Sequence, residues 1–368
     1  MEKSDGAITY DNGGTIGWLM IAENWLETCG FHVGVATCLP YINTTLHTPI
    51  FITPFPLLTF TLLMAPNYHL ATLFLLLLTV SGFQKSFSAL VSQQPLVLKY
   101  HNGELLKGPL TINLVWYGKF TPMQRSIIVD FLQSLTTLKG LRKTATPTPQ
   151  PSVSSWWKTT EKYHNGSSAV VVGKQILDET YSLGKLLKNY HIRFLASKVS
   201  QPNSINVVLT AKEVGVDGFC MSRCGTHGST MGKPRVAYAW VGDSETQCPG
   251  QCAWPFHQPI YGPQTPSLVS PNGDVGVDGM VINLATVLAG AVTNPFNQGY
   301  FQGPATAPLE AVSACTGIFG SGAYPGYAGQ VLVDKTTGAS YNAHGLNGRK
   351  YLVPAMWDPK TSVCSTLV

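Results

Sequence analysis

The sequence predicts an α+β or α/β fold in which one sheet is flanked by helices and followed by a long, loop-rich, disulfide-stapled half. Three observations carry that expectation. Between residues 110 and 241 short apolar runs with strand character alternate with helix-like segments, the pattern of a sheet covered by helices. After Gly242 glycine, proline, cysteine and aromatic residues dominate, so long loops are expected to replace regular elements. The cysteines that follow the expected signal segment, Cys220, Cys224, Cys248, Cys252, Cys315 and Cys364, are even in number and suit three bridges, although six cysteines allow 15 pairings.

The elements can be justified in order. Leu110-Thr-Ile-Asn-Leu-Val-Trp-Tyr117 alternates as a strand does. The next segment carries a helix-start signature: Thr121 as N-cap, Pro122 at the first helical position and Gln124 closing a capping box, with Gly140 as the stop. Met123, Ile127, Ile128, Phe131, Leu132, Leu135 and Leu138 recur at helical spacing and are expected to face the sheet. A Thr/Pro loop from Lys143 to Pro151 leads to a helix expected over Val153–His164, where Trp156 and Trp157 are read as packing rather than as a sugar platform. Strands are expected at Val170–Ile176, Ile205–Thr210 and Arg235–Val241, with a helix near Leu183–Tyr190. A last helix runs from Asp278 to Thr293 and stops at Asn294-Pro295.

That last helix bears a stripe of polar and small residues, Asn283, Thr286, Gly290 and Asn294. A zinc hydrolase would place histidines at i and i+4 with a glutamate beside the first. Here those positions hold Thr286 and Gly290, with Val287 in the glutamate's place. The more specific form of the fold expectation is therefore a degenerate metallopeptidase-like architecture that has lost its ligands.

Composition excludes a disordered or fibrous chain. Of 368 residues 44% are hydrophobic and only 12% charged, enough apolar material to build a core. The run Leu70–Val80 is too short to span a bilayer but has the length of a signal-peptide core, and small residues Ser86, Ser88 and Ala89 follow it. The expectation is an upstream extension over 1–63, a secretory signal over 64–88 starting at Met64, and one domain over 89–368; a membrane anchor is the alternative, opposed by Pro54, Pro56 and Pro66. No Lys or Arg stands between Met64 and the apolar run, unlike the usual basic n-region.

The formal net charge of +5 conceals an asymmetry. Residues 1–88 hold two bases and five acids, which leaves 22 bases against 14 acids, or +8, in the rest. Such a domain should associate with polyanions, which outside a cell means acidic polysaccharide or lipid surfaces. No basic helix, aromatic-basic RNA motif or finger spacing points to nucleic acid.

Sites are harder to find. HExxH, GxSxG and GxxxxGK[ST] are all absent. His227, His257 and His344, with Asp243 and Glu245, are the candidate metal-ligating or acid–base residues. The competing reading is that the histidines only hydrogen-bond loop backbone. Asp243 and Glu245 are also weighed as a glycosidase carboxylate pair. The two C-x-x-x-C pairs with His227 and His257 nearby leave zinc as an alternative to disulfides; no other cofactor is expected. Asn165-Gly-Ser167 is a glycosylation acceptor.

Several blocks carry a resemblance that runs from about Leu90 to Val368: Pro95–Gly103, Val115–Pro122, Ser154–Lys158, Cys220–His227, Cys248-Pro-Gly-Gln-Cys-Ala-Trp-Pro-Phe-His257, Tyr324-Pro-Gly-Tyr-Ala-Gly329 and the tail from Asn342. On these the sequence resembles the plant EXORDIUM family, also called phosphate-induced or phosphate-responsive proteins. The resemblance implies a secreted protein of the apoplast or cell wall that promotes cell expansion and growth, linked to brassinosteroid response and carbon status. It implies no reaction and no catalytic residues. The expected partner is an acidic wall polysaccharide or a cell-surface protein, with no nucleic acid and no integral membrane segment after signal cleavage.

Overall fold

The computed structural model describes residues 95–136, 148–166, 169–199, 201, 203–230 and 235–368. The chain divides into two units, Met1–Ala89 and Leu90–Val368, and every described residue lies in the second. The expected extension and signal segment, with Cys29, Cys38 and Asn43, lie outside the described residues.

The centre is a five-stranded sheet built from β1 (Pro109–Tyr117), β2 (Ala169–Asp178), β3 (Ser204–Thr210), β4 (Gly225–Ser229) and β5 (Ala237–Gly242), in the spatial order β2-β1-β3-β5-β4. β2, β1, β3 and β5 are parallel, and β4 closes one edge antiparallel to β5. The helices are α1 (Pro122–Ser134), α2 (Val153–Trp157), α3 (Asn189–Ser197), the short α4 (Pro249–Cys252) and α5 (Val275–Thr293). The mixed α and β character expected from the sequence is present, with loops and short two-stranded pairings filling the chain beyond α5.

Period-two alternation explains why the inner strands read as almost continuous apolar runs. Leu110, Ile112, Leu114 and Trp116 of β1, with Ile205, Val207 and Leu209 of β3 and Ala237, Ala239 and Val241 of β5, pack in one core with α1, α2 and α5. The intervening Val115, Tyr117, Val208, Tyr238 and Trp240 form a second core with Ile192 and Leu195 of α3. A parallel sheet covered on both faces in this way must be apolar on both. Among the polar exceptions, Asn113 and Asn206 stand opposite each other on the α3 face. The Asn113 amide donates to Asn206 at 2.9 Å, and the Asn206 amide donates to the Ala196 carbonyl at 2.8 Å. This satisfies polar atoms that burial would otherwise leave costly.

α1 starts as the sequence predicts. Thr121 accepts from the Gln124 backbone N–H, and Gln124 accepts from the Thr121 N–H. The Gln124 amide also donates to Asp274 at 3.0 Å, and Asp274 is the N-cap of α5, so one residue links the starts of two helices. Three expectations need correction. Met123 is 62% exposed rather than packed on the sheet, because it sits in the first turn on the solvent side. The helix near Leu183–Tyr190 is instead a turn with Gly184 at positive φ, a two-residue strand at Leu186–Leu187 pairing with Gly215–Val216, and then α3. The segment Val153–His164 is helical only to Trp157, then a 3-10 turn over Lys158–Lys162. Trp156 and Trp157 are buried, in agreement with a packing role. β4, which the sequence reading did not assign, is glycine-bearing and half-buried, so its apolar signal is weak.

α5 is long and apolar enough to cross a membrane by composition alone, but it is mostly buried against the sheet. It begins three residues earlier than expected, capped by the Asp274 side chain on the Val277 N–H at 2.9 Å.

Candidate functional site

The polar stripe on α5 organises the chemistry-bearing residues. Gly290 lies directly beneath His227, the middle residue of β4: a Cβ added there would stand 2.6 Å from His227 Nε2 and 2.7 Å from Glu310 Oε2. The absence of a side chain lets these two groups meet over the helix, with Nε2 and Oε2 at 2.7 Å. Asn294, one turn on, donates from Nδ2 to the other Glu310 oxygen at 2.7 Å, and its own Oδ1 accepts from the Gly299 N–H at 2.7 Å. Both partners of the His227–Glu310 pair are about nine-tenths buried. His227 Nδ1 is buried and has no hydrogen-bond partner among the described residues. A His–carboxylate pair of this kind orients an imidazole, as in general-base arrangements, and here it also ties β4, α5 and the loop carrying Glu310 together.

The other end of α5 holds the acidic candidates. Asp243 follows β5, is 2% exposed, and accepts from the Glu245 N–H at 3.0 Å. Burial, reinforced by Asp274 and Glu245, pushes its carboxyl up to about 6. Glu245 itself is turned to solvent and pairs with Lys212 at 2.7 Å. Gly276 in the first turn of α5 packs on Asp243. Gly276 and Gly290 are fourteen residues apart, roughly 21 Å along a helix at 1.5 Å per residue. Asp243 and His227 therefore belong to different places.

The two remaining histidines stand apart as well. His257 is exposed, with Nδ1 2.9 Å from the Gln258 carbonyl. His344 pairs opposite Lys350 in a two-residue ladder and lies edge-on to Tyr341 at 5.1 Å; burial, then the Lys350 charge, lowers its pKa. Among the described residues no group of three or more His, Cys, Asp or Glu side chains is placed to hold a metal ion. The cysteines form Cys220–Cys248, Cys224–Cys252 and Cys315–Cys364, with Cα separations of 5.8, 5.3 and 5.7 Å. Sulfurs so bonded are not thiolate ligands. Asn165 is exposed at the end of the 3-10 turn, with a positive φ.

Beside the first two disulfides lies an open groove of about 1100 Å³. Its walls are Trp254, Tyr261 and Tyr324 together with Pro259, Pro263 and Pro325. Tyr324-Pro-Gly-Tyr327 is a tight turn whose end residues exchange backbone hydrogen bonds, with Gly326 at φ +89° behind a proline, the requirement of a type II turn. Trp254 is braced by Phe319, ring centres 5.8 Å apart.

Comparison with known proteins assigns the chain. The family model described as "Phosphate-induced protein 1 conserved region" matches residues 98–367. Protein EXORDIUM-like 2 of Arabidopsis thaliana is 68% identical over 311 residues, covering 83% of this chain and all of that protein. The chain belongs to the EXORDIUM/phosphate-induced family. Protein PHOSPHATE-INDUCED 1 of Nicotiana tabacum is 57% identical, covering 83% of this chain and all of its own length, and Protein EXORDIUM of Arabidopsis thaliana is 58% identical, covering 80% and 97%. No solved structure matches.

In this EXORDIUM-family chain, Glu310 and Asn294 are the polar residues around His227 that sequence reasoning did not connect to it. Asn294 was legible as the end of the helical stripe. Glu310 was not, because it comes from an irregular loop with no periodicity to place it. Of the groove, the Cys220–His227, Cys248–His257 and Tyr324–Gly329 blocks stood out in the sequence, whereas Tyr261 and the prolines beside it did not.

Proposed function

We propose that this EXORDIUM-family protein is a secreted, non-catalytic regulator of cell expansion and growth in the apoplast, linked to brassinosteroid response and carbon status. In this reading it acts by binding an acidic wall polysaccharide or a cell-surface protein. The observation that carries the proposal is the set of three disulfides in a member of a growth-related, phosphate-induced family. Such bridges persist in oxidising compartments and are rare in the cytosol. The +8 charge beyond residue 88 and the exposed Asn165 acceptor support the same place. The purified protein is expected to be retained on immobilised pectate at low ionic strength and released as salt rises through about 0.2 M, since exposed charges are screened within roughly 10 Å at 0.1 M. Passage through the column unretained at low salt would remove the polysaccharide half of the proposal.

The non-catalytic character is proposed from α5. A zinc hydrolase helix needs histidines at i and i+4, and here Thr286 and Gly290 take those positions while Gly290 gives its space to His227 and Glu310. We read the architecture as a metallopeptidase-like one whose catalytic helix has become a packing element. Equilibrium dialysis against zinc should find no stoichiometric site; one tightly held zinc per chain, lost in His227→Ala, would overturn this.

A further inference from the structure

We propose that the groove beside the Cys220–Cys248 and Cys224–Cys252 bridges binds a neutral, proline-rich polypeptide in the polyproline II conformation. Among the described residues no Lys, Arg, Asp, Glu or His lines the groove, although the chain as a whole is basic. A polyanion or a charged peptide would find no partner there, and the occupant is therefore uncharged over the length it lays in the groove.

The walls also lack enough hydrogen-bonding side chains for a sugar. Besides the tyrosine hydroxyls and the Trp254 indole, only Ser222, Gln251 and Thr316 offer polar side chains, and the surface is otherwise aliphatic, aromatic and proline. Each sugar ring carries several hydroxyls, and burying them without partners costs free energy. A polyproline II segment has the opposite chemistry. Its pyrrolidine rings are flat and apolar, it has no internal hydrogen bonds, its carbonyls project for isolated donors, and its preformed helix loses little entropy on docking. Aromatic-lined grooves recognise such segments, with aromatic rings supplying ridges and Tyr O–H or Trp N–H bonding the carbonyls.

The structure supplies those ridges. Tyr261 is 87% exposed and Tyr324 62% exposed, far more than tyrosines serving as core, and Tyr324 is fixed on a type II turn. Thr265 donates to the Gly326 carbonyl at 2.7 Å, and Gly326 packs against Pro263, so the two loops bearing Tyr261 and Tyr324 are held to each other. The Cys220–Cys248 bridge fixes the lining residue Cys220. A concave, apolar groove of this size, with its two tyrosine-bearing loops tied to each other, has the character of a ligand site.

This inference does not rest on the polyanion reading, and salt separates the two. The test is fluorescence anisotropy of a labelled ten-residue oligoproline titrated with the full-length protein. Saturable binding is expected, unchanged between 50 and 500 mM salt, and weakened at least about tenfold in Tyr261→Ala/Tyr324→Ala. Both tyrosines are exposed, so the double variant should keep the wild-type melting temperature; the single Tyr261→Phe and Tyr324→Phe variants, which keep the rings, should bind to within about threefold. No saturation at millimolar protein would overturn the proposal, as would binding that the double variant leaves intact. Binding of cellohexaose with no response to oligoproline would overturn it in favour of a neutral glycan.

Discussion

Gly290 shows how a single missing side chain can decide a local structure. Replacing it with alanine would put a methyl carbon 2.6 Å from His227 Nε2 and 2.7 Å from Glu310 Oε2, inside contact distance of a buried, hydrogen-bonded pair. The pair cannot move aside freely, because Asn294 holds the far oxygen of Glu310. Gly→Ala in mid-helix normally stabilises by up to about 1 kcal/mol. Here overpacking should reverse the sign, and Gly290→Ala is expected to destabilise by about 1–3 kcal/mol in chemical denaturation. A stabilised variant would mean that the pair does not sit over the helix. The Nδ1 atom of His227 and the indole N–H of Trp157 are both buried without partners among the described residues. Such atoms are exceptions to the rule that buried polar groups are satisfied.

At the scale of elements, legibility followed periodicity. β1, β3 and β5 could be read because both faces of an inner parallel strand are apolar, and α1 because its capping box and proline mark its start with local chemistry. α3 was misplaced because Leu183, Leu186 and Leu187 look helical in sequence, while Gly184 and the pairing of Leu186–Leu187 with a distant strand break the segment. β4 was missed since Gly225-Thr-His-Gly-Ser229 has neither alternation nor apolar content, and it is a strand because β5 offers it an edge. The stripe on α5 was visible, but its meaning was not: Asn283 caps the Cys252 carbonyl at 2.8 Å, Gly290 makes room, and Asn294 ends the helix while holding Glu310. Sequence shows which face of a helix is unusual, and only the fold shows what lies against it.

For the whole molecule five aspartates fall into two groups with opposite pH behaviour. Burial pushes Asp278 up to about 7 and Asp243 up to about 6. The folded state therefore binds more protons than the unfolded chain between about pH 4 and 7, and these two groups subtract stability as pH rises through that window. Asp334 is held down at about 2, chiefly by Lys350. Asp178 and Asp358 are lowered too, since hydrogen bonds and the ammonium groups of Lys198 and Lys162 outweigh the burial that raises them. These three lose their stabilising contribution as pH falls below about 4. His344, lowered by burial, opposes the first group by weakening the fold below about pH 6.5. Two buried carboxyls against one partly buried imidazole leave the balance on the acidic side, so the melting temperature is expected to be higher at pH 5 than at pH 7.5. Asp243→Asn should narrow that difference, and an unchanged or inverted difference would show that its carboxyl is not buried as described. The first two disulfides carry one more consequence. Cys220–Cys248 and Cys224–Cys252 each span 28 positions and step by four residues at both ends. The crossed isomer, Cys220–Cys252 with Cys224–Cys248, closes loops of nearly the same length, so chain statistics in the unfolded protein scarcely distinguish the right partners from the wrong ones. Correct bridging has to be selected by the docking of α4 on the Cys220–Cys224 segment, where Cys224 Sγ lies 3.9 Å from the Gln251 carbonyl, and material oxidised before that docking should be a mixture of scrambled isomers resolvable by peptide mapping.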